Sequence, residues 1–237
     1  MNFYEEKVVK TTNKMGYMFN EIKEYGRDFI EYSSPGPVLD IGAAYGVHTL
    51  PALERGAYVV CNDLEKKHLE ILEERVPQEY KSHVEFVCGK FPQELHFREN
   101  SFSGILLSHV LHFLKSDEIE EGISKVFGWL KPGGKVFAIV GTPYIKIVEG
   151  FIPTFKKRLE SGQEWPGFIE DISIYHHERC KDLPKFMHYF DIDVVRRVFK
   201  DFIIEKCGYI NRDDFPEDMR LDGRENVGVI ARKPIVC

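Results

Sequence analysis

No stretch of this 237-residue chain approaches the ~18 consecutive apolar residues that a spanning helix requires, so no membrane segment of that kind is expected. The opening residues, Met1-Asn-Phe-Tyr-Glu-Glu-Lys, are too polar for a secretory signal. There is no basic excess. Lys and Arg number 32 against 38 Asp and Glu, a net charge of −6, which argues against the basic face that a nucleic-acid partner needs. The five cysteines (Cys61, Cys88, Cys180, Cys207, Cys237) are odd in number and form no C-x-x-C pair. That excludes a disulfide framework and points to free thiols in a reducing, cytoplasmic setting. Two phosphate-binding signatures are missing as well: neither G-x-x-x-x-G-K-[ST] nor G-x-G-x-x-G occurs. Internal repeats and low-complexity tracts are also lacking.

What is present is an alternation of short apolar runs with amphipathic stretches. Strands are predicted at 37–41, 57–62, 84–88, 102–108 and 135–140, and helices at 46–55, 65–75 and 117–130, the last with Ser116 as N-cap. Lys131-Pro132-Gly133-Gly134 reads as a turn, and a helix at 191–199 with strands at 202–207 and 226–231 closes the chain. Residues 1–35 read as a helical arm, from the spacing of Phe19, Ile22, Phe29 and Ile30. The rhythm implies βαβ units and a mostly parallel sheet. Between 142 and 190 it breaks into a segment rich in aromatics, a candidate lid. There Tyr144, Phe151, Phe155, Trp165, Phe168, Tyr175, Phe186 and Tyr189 either wall an apolar pocket or form a small core of their own.

The most informative stretch is residues 37–46. An apolar strand carries Asp40 near its end and runs into Gly42-Ala43-Ala44-Tyr45-Gly46 before a helix begins. Small residues at a strand-to-helix turn allow close backbone approach to a ligand, and open α/β sheets bind ligands at the carboxyl ends of their strands. With the phosphate signatures excluded, an adenosine-type ligand remains. Asp63, at the end of the second strand, has two oxygens to receive both ribose hydroxyls.

Asp40-Ile-Gly42-Ala-Ala44-Tyr-Gly46 resembles the first motif of the class I S-adenosylmethionine-dependent methyltransferases, with Ala44 where the family has glycine. Ser101 to Leu114 resembles the family's fourth motif, and Leu130 to Lys135 its turn before strand five. The resemblance covers about residues 35–140. It implies a Rossmann-like, doubly wound, mostly parallel seven-stranded sheet with helices on both faces and an antiparallel last strand. A lid follows strand five. The whole would be one domain: arm 1–35, cofactor core 36–141, lid 142–190 and closing elements 191–237. It implies S-adenosylmethionine held by Asp40, Gly42, Ala43, Ala44, Tyr45, Gly46, Asp63 and Leu64, the last against the adenine. Gly89, Lys90 and Phe91 would follow, with Lys90 where the family often has an acid and Phe91 or a backbone group as its substitute. Ser108, His109 and Val110 would sit beside the methyl group.

His109 is the candidate general base, because imidazole titrates near neutrality, whereas His112 is expected to pack. The expected reaction is methyl transfer to an O, N, C or S atom of a small molecule. A protein or RNA acceptor, or a non-catalytic binding module, are the alternatives. The partner is expected to be a small molecule, with the protein a monomer or homodimer. No metal is expected, since the neighbours His176 and His177, with Glu178 and Cys180, point in different directions.

Overall fold

The first described residues form a hairpin, not a helix. In the computed structural model, which describes residues 8–13, 15–33, 36–175, 181 and 183–235, strands β1 (Val8–Lys10) and β2 (Tyr17–Phe19) pair antiparallel. Gly16, at φ +98°, turns the chain, and both the amide and the hydroxyl of Thr11 donate to its carbonyl. Val9 and Met18 face inward, one from each strand. The predicted helical arm is thus corrected. Among the described residues up to Ser33, only α1 (Glu24–Tyr32) is helical, and it buries Tyr25, Phe29 and Ile30.

The predicted alternation then unfolds as β3 (Pro37–Ile41), α2 (Thr49–Glu54), β4 (Tyr58–Asp63), α3 (Lys66–Arg75), β5 (Val84–Cys88), β6 (Phe102–Ser108), α4 (Ser116–Trp129) and β7 (Leu130–Gly141). Ser116 opens α4 instead of capping it. The N-cap is Lys115, whose backbone N–H donates to Glu118 Oε2. The residues expected as a turn before strand five belong to β7, where Gly133 adopts φ +79°.

After β7 come α5 (Ile152–Glu160), β8 (Phe168–Ile169), β9 (Met187–His188), α6 (Ile192–Val198), β10 (Ile203–Ile210) and β11 (Asn226–Arg232). The main sheet has seven strands in the order β10-β11-β7-β6-β3-β4-β5, with β11 antiparallel to both of its neighbours and the rest running one way. Strand order reverses between β3 and β6, which creates a crevice at their carboxyl ends, where such sheets bind ligands.

Two apolar clusters cover the two faces of this sheet. One includes Leu39, Ile105, Ile123 and Trp129; the other includes Phe29, Val59, Leu72 and Phe137. A third cluster belongs to the segment after β7. Ile145, Phe151, Phe155, Ile169, Ile172 and Met187 join Phe215 and Met219 there. This segment is therefore a small core as well as a cover over the crevice. Among the described residues no helix is long and apolar enough to cross a membrane.

Candidate active site

A cavity of about 270 Å³ opens at the β3/β6 crevice and extends beneath the hairpin and the segment after β7. At one end lies the small-residue turn. Asn62 at the end of β4 pins it: its carbonyl accepts from the amides of Gly42 (2.9 Å) and Ala43 (2.8 Å), while its side chain donates to the carbonyls of Val87 and Gly89. Gly42 has φ +74°, and a Cβ there would meet Val110 Cγ2 at 2.6 Å. The turn and the end of β6 are therefore packed as closely as a glycine allows.

Asp63 Oδ2 accepts from the Ala44 amide at 3.0 Å, and Oδ1 accepts from the Glu65 amide (2.9 Å) and from His68 Nδ1 (3.1 Å). A carboxylate offers about four acceptor directions. With three filled, Asp63 has room for about one further hydroxyl, on Oδ2, where the sequence suggested two. Leu64, beside it on the wall, is an apolar side chain that is 51% exposed. One open carboxylate direction, a bare apolar surface and a turn that opens on the Cβ-free Gly42 fit an adenosine-type group.

Of the residues singled out in the sequence, Gly42, Ala43, Ala44, Asp63, Leu64, Gly89, Lys90, Phe91, Ser108, His109 and Val110 line the cavity. Asp40, Tyr45 and Gly46 do not. Asp40 lies beneath the turn, where its Oδ2 accepts from Thr49 Oγ1 at 2.7 Å, and burial pushes its pKa up to about 6. Tyr45 is fully buried against His68, ring centroids 5.0 Å apart. Gly46 gives α3 room: a Cβ there would stand 2.1 Å from Leu72 Cδ1. These three support the turn from behind. Lys90 turns outward to Glu118 at 2.7 Å. The Phe91 ring packs on Gly122 and Trp129, so its expected role beside an adenine gives way to a place in the core.

At the opposite end the geometry corrects the role given to His109. The residue adopts φ +59°, a strained conformation for a side chain of this size. Its Nε2 lies 3.2 Å from Arg212 Nη1. A guanidinium only donates, so Nε2 is the acceptor and Nδ1 carries the proton. Burial, then the Arg212 charge, hold His109 well below its ordinary pKa. It is a neutral donor, not a free base. Arg212 is buried and donates also to Asn226 Oδ1 and, through Nε and Nη2, to both oxygens of Asp214. His112 is buried, as expected, but reaches the cavity; burial lowers its pKa to about 3, and its Nδ1 faces the Gly141 amide at 3.4 Å. Burial and the Arg212 charge take His48 to about 4.

The sequence did not single out His48, His68, Arg212 or Asn226. His48 sits two residues past the turn and could have been read from it; Arg212 comes from the loop after β10 and carries no local signal. Of the eight aromatics expected between 142 and 190, Tyr189 reaches the cavity. Phe19, Phe113 and Phe215 supply the aromatic wall, with Ile145, Ile147, Leu183 and Met187. The histidine pair 176 and 177, with Glu178 and Cys180, lies outside the described residues. Among the described residues no cluster of three or more His, Cys, Asp or Glu could hold a metal.

Comparison with known proteins bears on this geometry. Residues 38–134 match the model of a methyltransferase domain family. The chain is 30% identical over 101 residues to phosphoethanolamine N-methyltransferase 1 of Triticum aestivum, a match over 42% of this chain and 20% of that enzyme's length. Among solved structures, a Methanosarcina mazei S-adenosylmethionine-dependent methyltransferase aligns with TM-score 0.64 at 16% identity, over 91% of this chain and 100% of that one. A glycopeptide N-methyltransferase in complex with S-adenosylmethionine aligns with TM-score 0.58 at 16% identity, over 88% and 92%. At such identities the structural likeness speaks for the fold.

Proposed function

From the methyltransferase-domain match over residues 38–134 and the shared fold, we propose that the chain is a class I S-adenosylmethionine-dependent methyltransferase and that it transfers a methyl group from S-adenosylmethionine to a small-molecule acceptor. When bound, that cofactor supplies a methyl carbon already activated by the sulfonium charge. The work left to the protein is alignment of acceptor atom, methyl carbon and leaving sulfur, with water kept out. Asp63 would take a ribose hydroxyl, Leu64 the adenine face, and the 42–44 turn the cofactor's close approach. Ser108, His109 and Val110, at the end of β6, would stand where the two ligands meet.

One observation carries the small-molecule reading. The turn and the apolar wall belong to a single cavity, roofed by the β1–β2 hairpin and the segment after β7. A folded protein or an RNA needs an open, charged approach; a small apolar molecule needs an enclosed one. The phosphoethanolamine in the wheat relative's name does not carry over easily. A phosphate wants an unspent cation, and both Lys23 and Arg212 on this wall are held by acids.

The test has two steps. Thermal unfolding is followed with S-adenosylmethionine, S-adenosylhomocysteine or NAD. A ligand at ~100 times its dissociation constant adds about 2.7 kcal/mol, a rise of roughly 5–10 °C for a chain of this size. A rise with the first two alone supports the cofactor, and a rise with NAD alone refutes it. The protein is then incubated with methyl-tritiated cofactor and fractionated cell extract. Label in the low-molecular-weight fraction supports the acceptor class, while label confined to protein or RNA rejects it.

A further inference from the structure

Each charged side chain on the cavity wall already has a protein partner. Lys23 bridges Glu21 and Asp214, Lys90 bridges Glu118, Asp63 holds His68, and Arg212 holds Asp214. Arg212 has spent four of its five N–H donors. The three histidines facing the acceptor end, His48, His109 and His112, are all neutral at pH 7. An ion placed there would lose its hydration and meet no counter-charge, a heavily penalised arrangement.

One residue of this wall carries a buried polar group that is left over. Tyr189 is 3% exposed, and its hydroxyl has no hydrogen-bond partner among the described residues. Its ring lies across Gly141 from His112: a Cβ at Gly141 would stand 3.6 Å from the tyrosine ring and 3.7 Å from His112 Nδ1. The backbone holds the residue firmly, because the Tyr189 amide donates to Gly167 (2.9 Å) and Phe190 donates to Gly141 (3.0 Å). A buried hydroxyl without a partner destabilises the fold, and a phenylalanine would fill the same space without that cost.

Building on the methyl-transfer reading, we infer that the acceptor is an uncharged, largely apolar molecule with a hydroxyl or carbonyl group, and that the Tyr189 hydroxyl is the positioning group that receives it. The orphaned hydroxyl and an acceptor end whose charged side chains are already engaged describe the same ligand: no net charge, one hydrogen-bonding group, and an apolar body against Phe19, Phe113 and Met187.

Matched ring compounds test this without knowledge of the true acceptor. Cyclohexanol and cyclohexanone are compared with methylcyclohexane, cyclohexylammonium and cyclohexanecarboxylate by saturation-transfer NMR, with S-adenosylhomocysteine present and again without it. Binding of the two neutral polar rings at least tenfold tighter than either ion is expected. Tyr189→Phe should bring those two down to the level of methylcyclohexane, leave S-adenosylhomocysteine binding unchanged, and raise the unfolding midpoint. An ion that binds as tightly as cyclohexanol, no binding by either neutral polar ring, or a Tyr189→Phe variant with its preference intact and its midpoint lowered would each overturn the inference. Failure of the cofactor reading shows separately, as absence of any response to S-adenosylhomocysteine while the ring compounds keep their ranking.

Discussion

His68 joins two parts of the site that are far apart in sequence: its Nδ1 lies 3.1 Å from Asp63 Oδ1, and its Nε2 accepts the backbone N–H of Thr12 at 3.3 Å. Because one nitrogen accepts, the other donates, so the imidazole fixes the Asp63 carboxylate and ties it to the end of the β1–β2 hairpin. Hydrogen bonds to charged groups are worth about 1.5–3 kcal/mol. His68→Ala should therefore weaken S-adenosylhomocysteine binding roughly tenfold or more and expose the hairpin to limited proteolysis. Calorimetry with and without the substitution reads the first effect, mass spectrometry of early fragments the second. Unchanged affinity together with an unchanged cleavage pattern would refute the coupling.

That coupling shows where sequence reading succeeds and where it stops. The turn at 42–46 was legible because its signal is local: an apolar strand, small residues and a helix start within ten positions. The mostly parallel sheet followed from the same rhythm. The hairpin was misread because Phe19, Ile22 and Phe29 fall near helical spacing, although Gly16 breaks the pattern and, among the described residues there, only 24–32 is helical. Arg212 reaches His109 across 103 positions, and nothing near either residue announces the other. The base role assigned to His109 rested on its residue type and its place beside the methyl group; a partner supplied by the loop after β10 argues against it.

Ala44 occupies a left-handed conformation, φ +46°, where the family motif has glycine, and its amide holds Asp63 Oδ2. Left-handed backbone costs an L-residue about 1–2 kcal/mol, whereas glycine adds about 0.4–1 kcal/mol of unfolded-state entropy to be lost. Ala44→Gly should thus stabilise slightly, by about 0.5 kcal/mol, with S-adenosylhomocysteine affinity retained. Ala44→Val, a β-branched residue at positive φ, should destabilise by more than 2 kcal/mol. Urea unfolding of the pair reads both, and a destabilised glycine variant would contradict the strain.

The buried histidines make stability depend on pH. Burial lowers His112 to about 3 and His188 to about 4, and burial with the Arg212 charge lowers His48 to about 4. An unfolded histidine titrates near 6.5. Below that pH the unfolded chain binds protons that the folded chain refuses, so stability falls as pH drops from about 6.5 toward 4. Asp40 acts in the opposite sense: raised to about 6, it favours the folded state at low pH and loses that contribution as pH rises through 6. Three groups outweigh one, each with a slope near 1.4 kcal/mol per pH unit. The urea midpoint at pH 5 should lie well below that at pH 7.5, and Asp40→Asn should widen the gap. Equal midpoints at the two pH values would overturn this assignment.

The Arg212–Asp214 pair fixes the acceptor end of the cavity. Burial acts to raise the Asp214 pKa, but the hydrogen bonds and charge of Arg212 prevail and hold it below its ordinary value. Removing one partner of such a buried pair leaves the other charge stranded, a loss of about 3–5 kcal/mol, whereas replacing both with apolar groups is often close to neutral. Asp214→Leu and Arg212→Met should each lower stability by that amount. The double variant should lose much less than the sum, a coupling that the urea midpoints of the four proteins measure directly. Arg212→Met should also release the Nε2 lone pair of His109 and raise its pKa, while burial still keeps it below the ordinary value. NMR titration of the imidazole follows that change. Additive losses with a stationary His109 titration would mean that the arginine neither balances Asp214 nor governs the histidine beside the proposed methyl-transfer centre.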